Sequence, residues 1–354
     1  MKTASRLPAI LIIICLLLAL TACGGNMPYI TSSSTAPPSE EVSASTVTPA
    51  PQTEPSVYNL GLLKGPTGMG GVYIMDNAES DLYIESDNID YEITLASAPA
   101  ELAALLINGE LDIAAMATNV AASLYNKTEG EIQIIALNTM GVLYILENGN
   151  SVQSVSNLSG KTIYATGQGA NPEYILNYIL NSKELIPGKD VFIEWRDSDE
   201  LSTLIASGGI NLCMLPVPAA TAVQMKNDSI RTALNISEEW SSLEHDSSLI
   251  MGCIVARRDF INDNPEAVNA FLRQYEESVF KANTNYDAAA LMAHYEIVPN
   301  ADIAKAAIPF ANLCLISGAD IRPAIEGYYE VLFAADPTSI GGSMPDEDFY
   351  YTFS

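Results

Sequence analysis

From Val57 onward, short apolar runs alternate with segments in which apolar residues recur every three or four positions. A short apolar run predicts a buried strand, and the longer period predicts an amphipathic helix. The predicted strands cover residues 57–63, 91–96, 111–116, 131–137, 142–146, 161–166, 191–195, 212–215 and 247–256. Strands that alternate with helices indicate mostly parallel sheets covered by helices on both faces.

Several predicted helices begin at recognisable capping residues. Pro99 and the pair Asn171-Pro172 stand where first helical residues are expected, and Asp197 precedes Glu200 in a capping-box pattern. After residue 256 the pattern becomes almost entirely helical, with helices predicted at 267–283, 287–295, 301–312 and 321–333. Such helices must pack on an earlier part of the chain to bury their apolar faces.

A weak internal repeat divides the chain into two similar halves. Residues 101–116 align with residues 200–215 at an offset of 99, and each copy contains a helix, a glycine turn and a buried strand. The repeat predicts two α/β lobes, although helix–glycine–strand segments also recur by coincidence. We expect lobe I to comprise residues 57–140 and 257–354, and lobe II to comprise residues 141–256.

The chain therefore crosses between the lobes twice, near 138–146 and 249–257. Two crossing strands would make a hinge between two mostly parallel sheets. In open α/β sheets, ligands bind beyond the carboxyl ends of the strands, so a cleft between the lobes is the expected site.

The N-terminus has the features of an export signal. Lys2 and Arg6 precede an apolar segment at 9–20 that is too short to span a bilayer comfortably. Leu20-Thr-Ala-Cys23 then resembles the bacterial lipoprotein signal, in which the cysteine is acylated and becomes the mature N-terminus. We expect residues 1–22 to be a signal peptide and residues 23–56 to be an anchor and a linker rich in Ser, Thr and Pro. An ordinary secretory signal is the alternative.

The net charge excludes one class of partner. The chain carries 43 acidic and 16 basic residues, for a formal net charge of -27. Because so few basic residues cannot form a positive face, nucleic acid is excluded as a partner. An anionic ligand would have to be held by local dipoles instead of the overall field.

The five cysteines predict neither a disulfide framework nor a metal site. Cys15 lies in the signal segment and Cys23 is the expected anchor. Cys213, Cys253 and Cys314 lie in apolar runs without metal-ligand spacing, so we expect buried free thiols. A disulfide bond between Cys213 and Cys253 is the alternative, which no feature of the sequence supports. No cofactor and no metal are predicted.

The glycine-rich stretch at 64–71 follows the first predicted strand. A phosphate-binding loop would need Lys-Ser/Thr where Gly71-Val72 stands, and a dinucleotide fingerprint would need glycine where Tyr73 stands. The stretch is therefore either a tight turn with glycines for backbone geometry alone or one wall of a ligand cleft with free backbone N–H groups.

Candidate ligand-binding residues follow from the small and polar residues at the predicted strand-to-helix junctions. They are Lys64, Thr67, Gly68, Met69, Ser97, Thr118, Asn119, Thr166, Gln168, Gly169, Asn171, Pro216 and Pro218. Four aromatic residues can either stack on a heterocyclic ligand or belong to the core, namely Tyr73, Tyr144, Tyr174 and Trp195.

The whole of residues 57–354 resembles the solute-binding lipoproteins of ABC transporters. The likeness is to the type II class that binds nitrate, sulfonates, taurine and thiamine precursors. It is carried by residues 20–23, 63–70, 108–115, 158–163 and 264–268. The resemblance implies a monomer, lipid-anchored through Cys23 at the extracytoplasmic face of the cell membrane. It would capture a small anionic or heterocyclic solute and deliver it to an ABC permease and its ATPase.

An enzyme on the same fold is the main alternative. A pyrimidine-precursor synthase would need a reactive histidine and a cysteine cluster. The chain has two histidines, His245 in a polar loop and His294 within a predicted helix, and no nucleophile motif. We therefore expect no enzymatic activity. A solute receptor that feeds a signalling protein is a third possibility, which the sequence does not separate from import.

Replacing Cys23 with Ala should release the protein from the membrane fraction, because the acylated thiol is the expected attachment. Fractionation followed by immunoblotting measures this. Retention of the Cys23→Ala variant in the membrane would refute lipidation.

Overall fold

The computed structural model describes residues 54–243 and 247–352. The signal segment, Cys23, residues 24–53 of the linker and His245 lie outside the described residues. The described residues form eleven strands: β1 (Ser56–Leu63), β2 (Ile89–Ala96), β3 (Ile113–Ala117), β4 (Ile132–Met140), β5 (Leu143–Asn148), β6 (Thr162–Ala165), β7 (Phe192–Trp195), β8 (Leu212–Pro216), β9 (Ile230–Asn235), β10 (Ile250–Arg257) and β11 (Leu313–Ser317).

The same part of the chain forms fourteen α-helices. They are α1 (Pro66–Met69), α2 (Val72–Glu79), α3 (Leu82–Asp87), α4 (Pro99–Ile107), α5 (Thr118–Lys127), α6 (Asn171–Ser182), α7 (Ser198–Ala206), α8 (Ala219–Lys226), α9 (Ile236–Ser241), α10 (Arg258–Asp263), α11 (Pro265–Thr284), α12 (Ala288–His294), α13 (Ala301–Ala307) and α14 (Ile321–Ala335).

The strands form two mixed sheets whose cores are parallel. The first sheet has the order β11-β4-β10-β3-β1-β2, and the second has the order β7-β6-β8-β5-β9. In the first sheet β10 is antiparallel to both β3 and β4, and in the second β5 is antiparallel to both β8 and β9. In each sheet one reversed strand therefore lies between two strands of the common direction, and β11 is a second reversed strand at the edge of the first sheet. The predicted two-lobed α/β fold is confirmed.

The predicted repeat is confirmed in both elements that it covers. Helix α4 and strand β3 of the first lobe have the same lengths as α7 and β8 of the second, and all bounds differ by 99 residues. When the order of the second sheet is read in reverse, β6 has the position of β1 and β8 has the position of β3. The two lobes are thus copies of one supersecondary arrangement.

The predicted lobe boundary after residue 256 does not agree with the sheet to which β10 belongs. Strand β10 lies inside the first sheet, so the chain returns to lobe I between β9 and β10, before residue 250. An apolar strand looks the same in sequence whichever sheet receives it. The first crossing, between β4 and β5, falls where the sequence predicted it.

The C-terminal helix α14 does not belong to lobe I alone. The Tyr328 ring packs against Trp240 of α9 in lobe II, with 5.6 Å between the ring centroids. The neighbouring Tyr329 hydroxyl donates a hydrogen bond to the Thr118 carbonyl in lobe I at 2.9 Å. Helix α14 therefore joins the two lobes. In the described part of the chain, no helix combines the length and apolar character needed to cross a membrane.

Glu147 is a buried carboxylate that fixes the end of β5. Its oxygens accept hydrogen bonds from the Ser151 N–H at 2.9 Å, from the Val152 N–H at 3.2 Å and from the Arg231 guanidinium. Burial alone raises the pKa of Glu147, but the Ser151 and Val152 hydrogen bonds and the Arg231 charge outweigh it and lower the pKa below its ordinary value.

Replacing Glu147 with Gln should lower the free energy of unfolding at pH 7 by about 1–3 kcal/mol, because buried donors lose a charged acceptor. Since the folded-state pKa is lowered, the stabilisation by Glu147 is present above about pH 4.3 and disappears as the pH falls through the folded-state pKa. Urea unfolding of both proteins between pH 7 and pH 3 measures this.

Glu200 offers a control, because its carboxylate is about half exposed beside Arg196. Glu200→Gln should change the free energy of unfolding by less than about 1 kcal/mol. Equal effects of the two substitutions, or an effect of Glu147→Gln that grows in acid, would contradict this role of Glu147.

Candidate functional site

A cavity of about 1130 Å³ lies between the two lobes. Lobe I contributes the ends of β1 and β2 and the connection from α12 to α13. Lobe II contributes the first turn of α7, the turn from β8 to α8 and the body of α8. The lining residues are Lys64, Gly65, Pro66, Ser97, Ser198, Asp199, Ser202, Pro216, Val217, Pro218, Ala219, Ala222, Lys226, Ala293, Glu296, Ile297, Val298, Pro299, Asn300 and Ile303.

Helix starts surround this cavity. Helix α7 begins at Ser198 and α8 at Ala219, and both residues line the cavity; α4 of lobe I begins two residues after Ser97, which also lines it. The N-terminus of a helix carries a partial positive charge and free N–H groups. The helix starts therefore direct partial positive charge toward the cavity in a chain of net charge -27, although at α7 the Asp197 carboxylate already accepts from the Glu200 N–H.

Charged side chains line the cavity from both lobes. The Lys64 ammonium lies 3.6 Å from a Glu296 carboxylate oxygen, and both residues belong to lobe I. Lobe II contributes Lys226, at the end of α8, and Asp199, in the first turn of α7. The charged side chains that line the cavity are therefore two positive and two negative.

The position of Lys64 is fixed by the backbone around it. The Lys64 N–H donates to the Ala96 carbonyl at the end of β2, at 2.9 Å. The next N–H, of Gly65, donates to the Ile297 carbonyl at 3.1 Å, which ties the end of β1 to the α12–α13 connection. These two segments form the lobe I wall of the cavity.

The rest of the glycine-rich stretch packs against the core. A Cβ on Gly68 would lie 2.2 Å from the Leu63 carbonyl oxygen, and Met69 is fully buried. The Thr67 carbonyl accepts hydrogen bonds from the Asn138 amide at 2.9 Å and from the Tyr275 hydroxyl at 3.4 Å. Lys64, Gly65 and Pro66 therefore line the cavity, whereas Thr67, Gly68 and Met69 do not.

Thr118 and Asn119 also lie outside the cavity lining. Thr118 is fully buried, its hydroxyl donates to the Ile250 carbonyl at 2.9 Å, and its carbonyl accepts from Tyr329. Asn119 is buried as well. The junction between β3 and α5 thus packs against β10 and α14.

The junction between β6 and α6 does not line the cavity either. In this loop the Gly169 N–H donates to a Glu173 carboxylate oxygen at 2.6 Å, so the chain's own anion occupies that donor. Asn171 is buried and its side-chain oxygen has no hydrogen-bond partner. Thr166, Gln168, Gly169 and Asn171 are therefore not among the residues that line the cavity. Of the thirteen predicted residues, the structure brings Lys64, Ser97, Pro216 and Pro218 together in the cavity.

The aromatic candidates serve packing. Tyr73 is buried with its hydroxyl on Asp287, and Tyr144 is buried with its hydroxyl 3.0 Å from the Phe310 carbonyl. The Tyr174 hydroxyl donates a hydrogen bond to Asp336, and Trp195 packs against buried apolar residues of the core. Among the described residues, none of these four rings lines the cavity.

The described cysteines and histidine show no reactive arrangement. Cys213, Cys253 and Cys314 are free, and burial raises the pKa of Cys213 to about 12 and that of Cys314 to about 11. Cys314 is half-buried, which is less than the sequence predicted. His294 lies in a helix, as predicted, but at the exposed last residue of α12 and not in its middle, 3.9 Å from Glu79. Residues 54–243 and 247–352 contain no cluster of metal-ligating side chains.

No local pattern in the sequence predicted the α12–α13 connection or the body of α7 and α8 as parts of the site. Glu296, Ser198, Ser202 and Lys226 carry no motif. The capping signal at Asp197, whose side chain accepts from the Glu200 N–H at 2.8 Å, was recognised as a helix start. That Ser198, the first residue of this helix, lines the same cavity as Ser97 depends on how the lobes meet.

Residues 74–289 match the family model described as NMT1/THI5 like. The structure is similar to an ABC transporter protein from Parabacteroides distasonis, with 21% identity, a TM-score of 0.69 and coverage of 84% of this chain and 100% of that one. It is also similar to the periplasmic aliphatic sulphonate binding protein SsuA from Escherichia coli, with 13% identity, a TM-score of 0.66 and coverage of 83% and 96%.

A third similar structure is the periplasmic nitrate-binding protein NrtA from Synechocystis PCC 6803, with 14% identity, a TM-score of 0.52 and coverage of 76% of this chain and 75% of that one. A sequence comparison with curated proteins finds no match. At these identities the structural likeness establishes the fold, which is that of the two-lobed type II periplasmic binding proteins.

Replacing Gly68 with Ala should lower the free energy of unfolding by about 1–3 kcal/mol, because the new methyl group collides with the backbone at Leu63. Urea unfolding monitored by circular dichroism measures the change. An unchanged midpoint would mean that Gly68 is not packed against β1, and would return it to the candidate ligand residues.

Proposed function

Because the chain belongs to the NMT1/THI5-like family, we propose that it is an extracytoplasmic solute-binding protein that captures a small anionic solute between its lobes for an ABC importer. The observation that carries this proposal is the interlobe cavity. Its lining combines helix starts with Lys64 and Lys226 from opposite lobes. A volume of about 1130 Å³ is ample for a small organic solute.

The connections between the lobes support capture by closure. The chain passes from the first sheet to the second between β4 and β5, and returns between β9 and β10. Movement of one lobe against the other about such connections would open and close the cavity. Because both lobes contribute lining residues, a bound solute would stabilise the closed arrangement.

The chemistry of the lining favours an anion over a heterocycle. Backbone N–H groups at helix starts and two lysines suit a sulfonate, a carboxylate or an inorganic oxyanion. The described lining residues include no aromatic ring on which a heterocycle could stack. The solutes in the printed names of the similar proteins, an aliphatic sulphonate and nitrate, are of this anionic class.

The same lining supports binding rather than catalysis. Its titratable side chains, within the described residues, are Lys64, Lys226, Asp199 and Glu296. Neither a histidine nor a cysteine lies among them. A pyrimidine-precursor synthase would need such groups at the site.

We further propose that acylation of Cys23 holds the protein at the extracytoplasmic face of the membrane. The Ser/Thr/Pro-rich residues 26–56 would then act as a tether between that anchor and the two lobes. Delivery of solute to a permease and its ATPase follows from this placement.

Ser202→Trp should abolish the thermal stabilisation that an anionic solute produces, because Ser202 lines the cavity and the indole would fill it. Thr203→Trp is the matched control. The two hydroxyls make the same type of hydrogen bond, to Ser198 and Asp199 carbonyls, but Thr203 is exposed outside the cavity.

The measurement is a thermal-shift screen of nitrate, alkanesulfonates and small carboxylates against wild type and both variants. A solute at 100 times its Kd should stabilise wild type and Thr203→Trp by about 2.7 kcal/mol. Retained stabilisation in Ser202→Trp would place the solute elsewhere. If no anion stabilises the wild type, the proposed solute class is wrong.

A further inference from the structure

The carboxylate of Glu296 occupies the position beside Lys64 that a bound anion would need. The Lys64 ammonium lies 3.6 Å from a Glu296 carboxylate oxygen, and both residues line the interlobe cavity. Among the described carboxylates, Glu296 is the one that forms an ion pair with Lys64. A solute anion that contacts Lys64 must therefore compete with this carboxylate.

The backbone holds Glu296 at this place. Glu296 follows α12 with a left-handed φ of 56°, and its N–H donates to the Ala293 carbonyl at 3.2 Å. The next residue, Ile297, donates to the Met292 carbonyl at 2.9 Å and accepts from the Gly65 N–H at 3.1 Å. The segment that carries Glu296 is thus tied both to its helix and to the residue after Lys64.

The ion pair itself is readily exchanged. The Glu296 side chain is 81% exposed and that of Lys64 is 37% exposed. Exposed ion pairs contribute little to stability, because water screens them and two long side chains lose freedom. The carboxylate can therefore turn into solvent while the hydrogen bonds of its backbone stay in place.

We propose that Glu296 is an internal competitor for the anionic group of the solute at Lys64. The inference rests on the proposed function of the cavity and adds the residue that sets its affinity. Without solute, Glu296 neutralises Lys64; an entering anion takes its place. Neutral solutes do not take part in this exchange, so Glu296 lowers the affinity for anions and leaves the affinity for neutral solutes unchanged.

Lys226 provides a contrast within the same cavity. It lines the cavity from lobe II and forms no ion pair with a described residue. Its contact with a solute anion would need no exchange. Removal of the Glu296 charge should therefore change affinity through Lys64 and not through Lys226.

The test is calorimetric titration of ethanesulfonate into wild type and variants of the full two-lobed protein. Glu296→Gln should tighten binding about two- to fivefold, because the competing charge is removed and the backbone is unchanged. Lys64→Met should weaken binding about tenfold or more. In the Lys64→Met background, Glu296→Gln should have no effect, whereas in a Lys226→Met background it should keep its full effect.

Glu184→Gln is the matched control. Glu184 is exposed with a left-handed φ of 59°, and its N–H and that of Leu185 repeat the same helix-end hydrogen bonds after α6. It does not line the cavity, so Glu184→Gln should leave the affinity for ethanesulfonate unchanged.

Three results would overturn the inference. They are equal affinities of wild type and Glu296→Gln, an effect of Glu296→Gln that persists without Lys64, and no binding of ethanesulfonate to any variant. The first two leave the solute-binding function intact. After the third, that function is judged separately, by whether another solute in the thermal-shift screen stabilises the wild type and not Ser202→Trp.

Discussion

The structure depends on the reversed strand that lies inside each sheet, between two strands of the common direction. In lobe I, β10 lies between β3 and β4 and pairs with both, yet it enters the chain only after the whole of lobe II. In lobe II, β5 has the same position between β8 and β9. Because β10 follows the strands of lobe II in sequence but pairs with strands of lobe I, the chain must cross from lobe I to lobe II and back again. The cleft and its hinge follow from that pairing.

The pairing also decides what the cleft contains. Parallel strands of one direction present their carboxyl ends at one edge, so helix starts collect at the edge of each sheet. Where the two edges meet, the starts of α7 and α8 and the residues before α4 surround one cavity. A chain with a strongly negative net charge can attract an anion only through such local features. Lys64 and Lys226 add point charges to them.

Local patterns predicted most elements, because apolar periods and capping residues act over a few positions. The offset of 99 anticipated that α4 and β3 recur as α7 and β8. Strand β9 and strand β11 were missed, since Arg231 and Thr232 interrupt the first and the second is short and follows a helix-like run. The receiving sheet of β10 could not be predicted, because its side chains are apolar in either lobe.

In the candidate site too, local patterns predicted some residues and could not predict those whose position depends on contacts distant in sequence. Lys64, Ser97, Pro216 and Pro218 were predicted because they end strands, and the ends of strands reach the cavity. Thr118 and Asn171 follow strands too, but Thr118 packs against β10 and α14, and α6, which begins at Asn171, contacts Asp336 through Tyr174. Glu296 was missed because its role depends on a contact between residues 232 positions apart, which no local pattern encodes.

Hydrogen exchange with mass spectrometry, with and without a stabilising anionic solute, tests the central claim most directly. If the solute binds between the lobes, protection should rise together at the end of β1, at the start of α7 and at the start of α8, which lie on both lobes. Protection confined to one lobe, or located in a groove away from Lys64 and Ser202, would contradict the account.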